Sequence, residues 1–317
     1  MEQMKKQGAV LLAQSDGCTV WQFRNETGEG TMTTYEVFSG VVLSFNDFHM
    51  ERFDSSYVAD RRLFAIDHCR EGRMEYAPRE DLLAYTEAGD MKLDLRQRHT
   101  GTFFFPSHHY HGLTIAFDRD IAGRLLPPEC GDFPATPEDI IARWALGAYP
   151  RVVHNAGLAH IFDELHRVPE AIRIPYFRLK TLELLLYLSA MTVPKDEAPP
   201  YFYKTQVEKV KAIRSFLAKH ITEHFTQEAL AQRFNIPLTT MKACFRSVYG
   251  SAMGAWLTNY RMNLAAELLT RSRALSIAEV GGQVGYDNAG KFTEAFKRVM
   301  RLTPSEYQKE RGGHYEV

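Results

Sequence analysis

Residues 276–307 read SIAEVGGQVGYDNAGKFTEAFKRVMRLTPSEY, from Ser276 to Tyr307, and the reading of this stretch decides the fold of the C-terminal part. Ser276 followed by Glu279 is an N-cap pair that satisfies two orphan backbone donors, so a helix begins here. Gly285 is suited to the positive φ that ends a short helix. From Asn288 to about Met300, Phe292, Ala295, Phe296 and Val299 then fall on one helical stripe. Two short helices about a glycine turn give a helix-turn-helix, whose first helix braces a second that enters a DNA groove. The outward face carries Lys291, Lys297 and Arg298, the charge sign that a phosphate backbone requires.

Upstream, the pattern occurs a second time. Thr226 caps a helix through about Arg233, with Leu230 and Ala231 within it, and Asn235 is suited to a left-handed turn. A further helix is predicted from Pro237 to Val248, with Met241, Cys244, Phe245 and Val248 inward and Gly250 at its end. This leaves Thr239, Thr240, Lys242 and Arg246 facing outward. Between the two units, Met253 to Leu269 reads as a rod of about 25 Å, near the 34 Å of one DNA turn. Another apolar-striped helix, about Lys204 to Ile221, precedes both.

Charge divides the chain in the same place. From Lys204 onward there are 17 lysines and arginines against 10 acidic residues, whereas the preceding part has 21 against 29, although the whole chain carries a formal charge of only -1. A basic C-terminal unit is attracted to nucleic acid while the acidic part is not. With 317 residues, 45% hydrophobic, the chain has material for two domains, and no apolar run approaches membrane-spanning length. MEQMKKQGAV lacks an apolar export segment, so a cytoplasmic protein is expected. Cys18, Cys69, Cys130 and Cys244 are widely spaced and form no CxxC pair, which predicts reduced thiols and no disulfide or zinc framework.

Residues 17–118 read as about ten short strands separated by turn signals such as Ser39-Gly40, Asn46-Asp47, Glu71-Gly72 and Gly89-Asp90, which predicts a β-barrel or sandwich able to enclose a small ligand. Helices follow over 136–191, starting with Thr136 as cap and Pro137 in the first turn. In the strongest of them, Tyr176 to Met191, Leu179, Leu182 and Leu186 recur at i, i+3 and i+7. That stripe either packs onto its own β domain or forms a seam with a second subunit. Residues 193–203, with three prolines, read as a linker between domain 1–192 and domain 204–317.

The segment from about Val207 to Tyr307 resembles the DNA-binding domain of the AraC/XylS transcription regulators. The resemblance is carried by Leu230-Ala231, Phe245, Gly250, Arg261, Ala265, Leu268-Leu269, Ile277-Ala278-Glu279-Val280, Gly285-Tyr286, Phe292, Phe296-Lys297 and Thr303-Pro304-Ser305-Glu306-Tyr307. It implies an α+β chain: an N-terminal cupin-like jelly-roll barrel with helices, then an all-α domain of two helix-turn-helix units joined by a long helix. It also implies that Thr239, Lys242 and Ala243 of the first unit, and Ala289, Gly290, Lys291 and Glu294 of the second, meet DNA bases. Ala243 and Glu294 stand where members often carry arginine, and Arg301 where a glycine is usual. Alanine reaches only a thymine methyl and glutamate only a cytosine amino group, so the second unit is expected to position more than it reads.

In the β domain, Arg70 and Arg73 are suited to an anionic effector and Glu75 to a polar one, although such a hairpin is equally an ordinary charged surface. SHHYHG places His109 and His111 on one face if a strand runs through it. Ordinary turn histidines, polar contacts to a ligand and a metal pair completed by His49 or His68 all fit, but the remaining ligands of a cupin metal site are missing, so no metal and no cofactor is expected. No nucleophile triad, P-loop or GxGxxG points to an enzyme. The residues predict a dimeric DNA-binding transcription regulator that responds to a small molecule, and the resemblance implies an activator that binds promoter DNA and engages RNA polymerase. The rival readings are a metal-binding cupin sensor or enzyme with an appended DNA-binding domain, and a constitutive regulator whose β domain only dimerises.

Overall fold

The computed structural model describes residues 9–15, 17–57, 62–79, 81–96, 99–122, 135–147, 150–193, 201–271 and 275–311. The chain divides into two compact units, Met1–Tyr201 and Phe202–Val317. Cys130 and residues 194–200 of the expected linker lie outside the described residues.

The first unit is built on an antiparallel sheet. Its strands β1 (Val10–Ser15), β2 (Cys18–Asn25), β3 (Gly28–Phe38) and β4 (Val41–His49) pair in succession. Strand β10 (Tyr110–Asp118) lies between β4 and the 17-residue β6 (Leu63–Arg79). The first half of β6 pairs with β8 (Asp90–Arg96) and its second half with β7 (Leu82–Glu87). A short β11 (Arg151–His154), unmarked in the sequence, extends β8, while β5 (Arg52–Tyr57) and β9 (His99–Phe104) form a separate ribbon. Among the described residues no pairing joins the two ends of this sheet, so what is seen is an antiparallel sheet rather than a closed jelly roll.

Two expected turns are absent. Asn46 and Asp47 lie within β4, paired with Gly112 and His111 on one side and with Met32 and Thr31 on the other. Strands on both flanks supply ladder bonds that outweigh the local turn preference. Glu71-Gly72 likewise does not end a strand: Gly72, at φ 83°, pairs with Tyr110, Arg70 is the extra residue of a register shift opposite His111 and Gly112, and β6 continues. A Cβ at Gly72 would stand 2.2 Å from the His109 carbonyl oxygen, so this position beside the bulge requires glycine.

Alternation along the strands creates two cores. Leu43, Phe64, Ile66, Leu93, Leu113, Ile115 and Phe117 face three helices, α1 (Pro137–Arg143), α2 (Ala159–Leu165) and α3 (Arg173–Ala190). The opposite face gathers Trp21, Phe23, Phe48, Phe53, Phe105 and Tyr110. Thr136 and Asp139 form the capping box of α1, and Trp144 donates to the Leu188 carbonyl 3.1 Å away, tying α1 to α3.

Helix α3 buries a different stripe from the one read in the sequence. Phe177, Thr181, Leu184, Leu185 and Leu188 enter the core, whereas Leu179 and Leu186 are 64% and 40% exposed and Leu182 is half-buried against the cluster. The i, i+3, i+7 leucines look like the natural core seam because their neighbours Lys180 and Thr181 are polar. Thr181 is nevertheless accommodated by donating to the Phe177 carbonyl, and Lys180 by Glu164 and Glu183.

The second unit is helical, beginning after the two-residue β12 (Phe202–Tyr203). It consists of α4 (Lys204–Lys219), α5 (Gln227–Arg233), α6 (Leu238–Tyr249), α7 (Met253–Arg271), α8 (Ile277–Gln283), α9 (Ala289–Met300) and α10 (Pro304–Arg311). Among the described residues no helix is long and apolar enough to cross a membrane.

Candidate nucleic-acid interface

The two helix-turn-helix pairs are α5 with α6 and α8 with α9. In the first, the Thr226 hydroxyl accepts from the Ala229 amide at 3.1 Å and starts α5. Asn235 then takes the left-handed conformation at φ 48°, and the chain re-enters a helix at Leu238, with Pro237 as its cap rather than its first residue. Helix α6 buries Met241, Cys244, Phe245 and Val248 and ends at Gly250, φ 75°. Its anchoring side therefore fixes which residues remain outside: Thr239, Lys242, Ala243 and Arg246 are exposed and Thr240 is half-buried.

In the second pair, Ser276 and Glu279 complete the capping box through contacts of 2.8 and 3.2 Å. Gly285 follows at φ 82°, where a Cβ would come within 2.8 Å of the Ile221 carbonyl oxygen and 2.9 Å of the Arg261 guanidinium. Asn288 caps α9 by accepting from the Lys291 amide at 2.9 Å. Phe292, Ala295 and Phe296 are buried, and Ala289, Gly290, Lys291, Glu294, Lys297 and Arg298 are exposed. A third capping pair, Thr303 with Glu306, starts α10, whose Tyr307 meets Phe296 edge-on with ring centres 5.4 Å apart.

Helix α7 connects the pairs; its 19 residues span about 28 Å. Buried Arg261 in the middle of α7 donates to the Ile221 carbonyl at 2.7 and 3.0 Å and to the Glu223 carbonyl at 3.1 Å. One side chain thus satisfies the carbonyls that follow α4 while packing beside Gly285 of the second turn. The sequence marks Arg261 as a matching position but gives no sign of this role, because its acceptors lie about forty residues away.

Arg301 ends α9 in the left-handed conformation at φ 66°, with its amide donating to Lys297. A side chain there costs about 1–2 kcal/mol relative to glycine. Arg301→Gly is expected to stabilise the second unit by about 1 kcal/mol, read as a higher urea midpoint. An unchanged or lowered midpoint would mean that the arginine side chain offsets its own backbone strain.

The residues singled out in the β domain do not form one constellation. Arg73 pairs with Glu87 at 2.7 Å, and buried Glu75 accepts from the Tyr85 hydroxyl at 2.5 Å, so both are engaged across β6 and β7. His109 precedes β10, which starts at Tyr110, and follows His108 in a left-handed turn at φ 59°. His111 is on the strand and turns toward His166 of the helical layer. His49 is exposed beside Asp47. Among the described residues no group of three His, Cys, Asp or Glu side chains is arranged to hold a metal ion.

Residues 230–310 match a family model described as a helix-turn-helix domain. The second unit carries a helix-turn-helix domain. The HTH-type transcriptional regulator ExsA of Pseudomonas aeruginosa is 31% identical over 96 residues, which are 30% of this chain and 34% of that protein. The arabinose operon regulatory protein of Salmonella typhimurium is 26% identical over 131 residues, 41% of this chain and 44% of its own length. Among solved structures, the C-terminal domain of AraT, a response regulator from Geobacillus stearothermophilus, is 31% identical, covering 34% of this chain and 91% of that one with a TM-score of 0.32. The matches to the first relatives span about a third of their own length.

Proposed function

We propose that the chain is a sequence-specific DNA-binding transcription regulator, an activator whose N-terminal unit binds a small-molecule effector and pairs two copies of the chain. The observation that carries this reading is the repeated helix-turn-helix, each copy anchored by an apolar face and presenting polar and basic residues outward. In the first, Thr239, Thr240, Lys242, Ala243 and Arg246 form the contact face. In the second, Ala289, Gly290, Lys291, Glu294 and Lys297 do. The N-terminal residues of α6 and α9 approach base edges, and the lysines and arginines further along hold phosphates. The long α7 supports recognition of successive major-groove segments by one chain. Regulation of this kind is cytoplasmic and ends in contact with RNA polymerase.

Domain 1–192 acts as a cupin-like sensor and 204–317 as the reader. The exposed Leu179 and Leu186, with half-buried Leu182, supply an apolar seam for a second copy. Effector binding regulates DNA occupancy only if the effector has unequal affinity for two arrangements of the protein.

The test is affinity selection of duplexes from a random synthetic DNA pool by the full chain, followed by salt titrations of the selected duplex. Lys242→Ala and Lys291→Ala are each expected to weaken binding, and a lysine that neutralises one phosphate contributes about 1 to the log–log salt slope, so its removal makes the slope shallower by that amount. Unchanged affinity and slope in both variants would exclude these helices as the interface.

A further inference from the structure

The sheet's helix-facing side holds a group of basic side chains that the reading of the DNA-binding unit leaves unused. His68, on β6, is 7% exposed and stacks almost parallel on Phe162 of α2, ring centres 3.9 Å apart and 6° between planes. Its Nδ1 is buried without a hydrogen-bond partner. His166, at the C-terminal end of α2, has its Nε2 in the same condition, and its ring meets Phe45 at 5.0 Å and His111 at 5.1 Å. Arg70 lies two residues beyond His68 on the same face of β6, half-buried, with Glu71 at 4.0 Å as its ion-pair partner. Burial first, and then Arg70 among the neighbouring charges, hold both His68 and His166 down to about 4 against an ordinary 6.5. Asp163 of α2 opposes this shift at both rings, while His154 of β11, beside Asp90 at 3.2 Å, adds to it at His68.

A buried polar atom without a partner is destabilising, and two of them stand near the Arg70 guanidinium. We infer that Arg70, His68, His111 and His166 form a receptor for the carboxylate of a small organic acid, an inference that rests on the N-terminal unit being an effector-binding domain. The inner ring nitrogens serve as donors and the guanidinium as the charge partner, a planar match to carboxylate geometry. A cation is disfavoured by Arg70, and a neutral ligand would gain nothing from the guanidinium charge. Because α2 supplies Phe162 and His166 while β6 and β10 supply the rest, an occupied site ties the helical layer to the sheet. That gives the acid a route to altering α3, the helix with the exposed leucines.

Thermal unfolding and calorimetric titration of the full chain with sodium propionate, benzoate and citrate, against sodium chloride at equal ionic strength, provide the test. At least one carboxylate is expected to raise the melting temperature. Arg70→Gln and His166→Gln should each weaken binding about tenfold or more, as expected for removal of a charge-assisted hydrogen bond. Asp163→Asn should strengthen it by removing a competing carboxylate, a gain that a misfolded variant would not show. No response to any carboxylate, a response unaltered in Arg70→Gln and His166→Gln, or binding of inorganic phosphate alone would overturn the proposal. If uncharged glucose or benzyl alcohol raises the melting temperature and His166→Gln leaves that rise intact, the domain senses an effector elsewhere and only the carboxylate receptor fails. If neither acids nor uncharged probes bind, both readings fall.

Discussion

Phe296→Ala is expected to cost the second helix-turn-helix about 3–5 kcal/mol, enough to unfold it while the sheet of the first unit persists. Phe296 is fully buried in a cluster with Ala265, Leu269, Val280, Val284 and Phe292, and its ring lies between those of Phe292 and Tyr307 at 5.8 and 5.4 Å. Truncation leaves a cavity among elements joined by short turns: Gly285 is locked at positive φ and Arg261 is fixed to the Ile221 carbonyl, so little collapse is available. Native-state hydrogen exchange of the full chain distinguishes local from global loss. Protection should fall across residues 277–311 and remain across 63–79 and 110–118. Arg298→Ala on the exposed side of the same helix should change protection by less than about 0.5 kcal/mol. Equal, small effects of both variants would mean that α9 is held by something other than its apolar stripe.

Phe296 also shows why the C-terminal unit is so closely readable from sequence. The information that forms α8, α9 and α10 is local: caps at Ser276, Asn288 and Thr303, each three residues from its partner, and apolar residues three and four apart. Strand β10, Tyr110–Asp118, is legible for a related reason, since its period-2 alternation coincides with burial: Leu113, Ile115 and Phe117 are buried, and Thr114 and Ala116 between them are half-buried. What escapes the sequence is non-local. Asn46-Asp47 has turn chemistry, but β3 and β10 on either side make it a strand. The stripe of α3 differs from its leucine spacing because Lys180 and Thr181 find partners that only the fold supplies. His166 is nearly a hundred residues from His68, and nothing in spacing or composition links them. The helix-turn-helix faces are therefore readable residue by residue, whereas any site in the first unit depends on sheet register.

The strongest case of such hidden dependence is Asp67, for which Asp67→Ala is expected to destabilise the first unit by about 3–5 kcal/mol. Asp67 is 4% exposed on β6, within reach of Arg96 and 3.2 Å from the Lys92 ammonium on β8, and it accepts from the Thr114 hydroxyl of β10 at 2.7 Å. Burial alone would push its carboxyl up, but Arg96 and Lys92 outweigh burial and hold it well below the usual carboxylate range. Asp94 completes the set at 3.4 Å from Lys92 and 3.5 Å from Arg96, making two cations and two anions in all. Removing Asp67 leaves one buried positive charge without compensation, which costs more than the pair contributes when intact. Because the folded carboxyl sits below its unfolded value, its stabilising contribution is present above about pH 4 and is lost as pH falls further. Asp67→Ala combined with Lys92→Met restores charge balance, leaving Arg96 with Asp94. The double variant should therefore be more stable than Asp67→Ala alone, as measured by urea unfolding at pH 7. If the two losses simply add, the cluster is hydrated rather than dry, and β6, β8 and β10 are held together by their ladders and apolar faces without it.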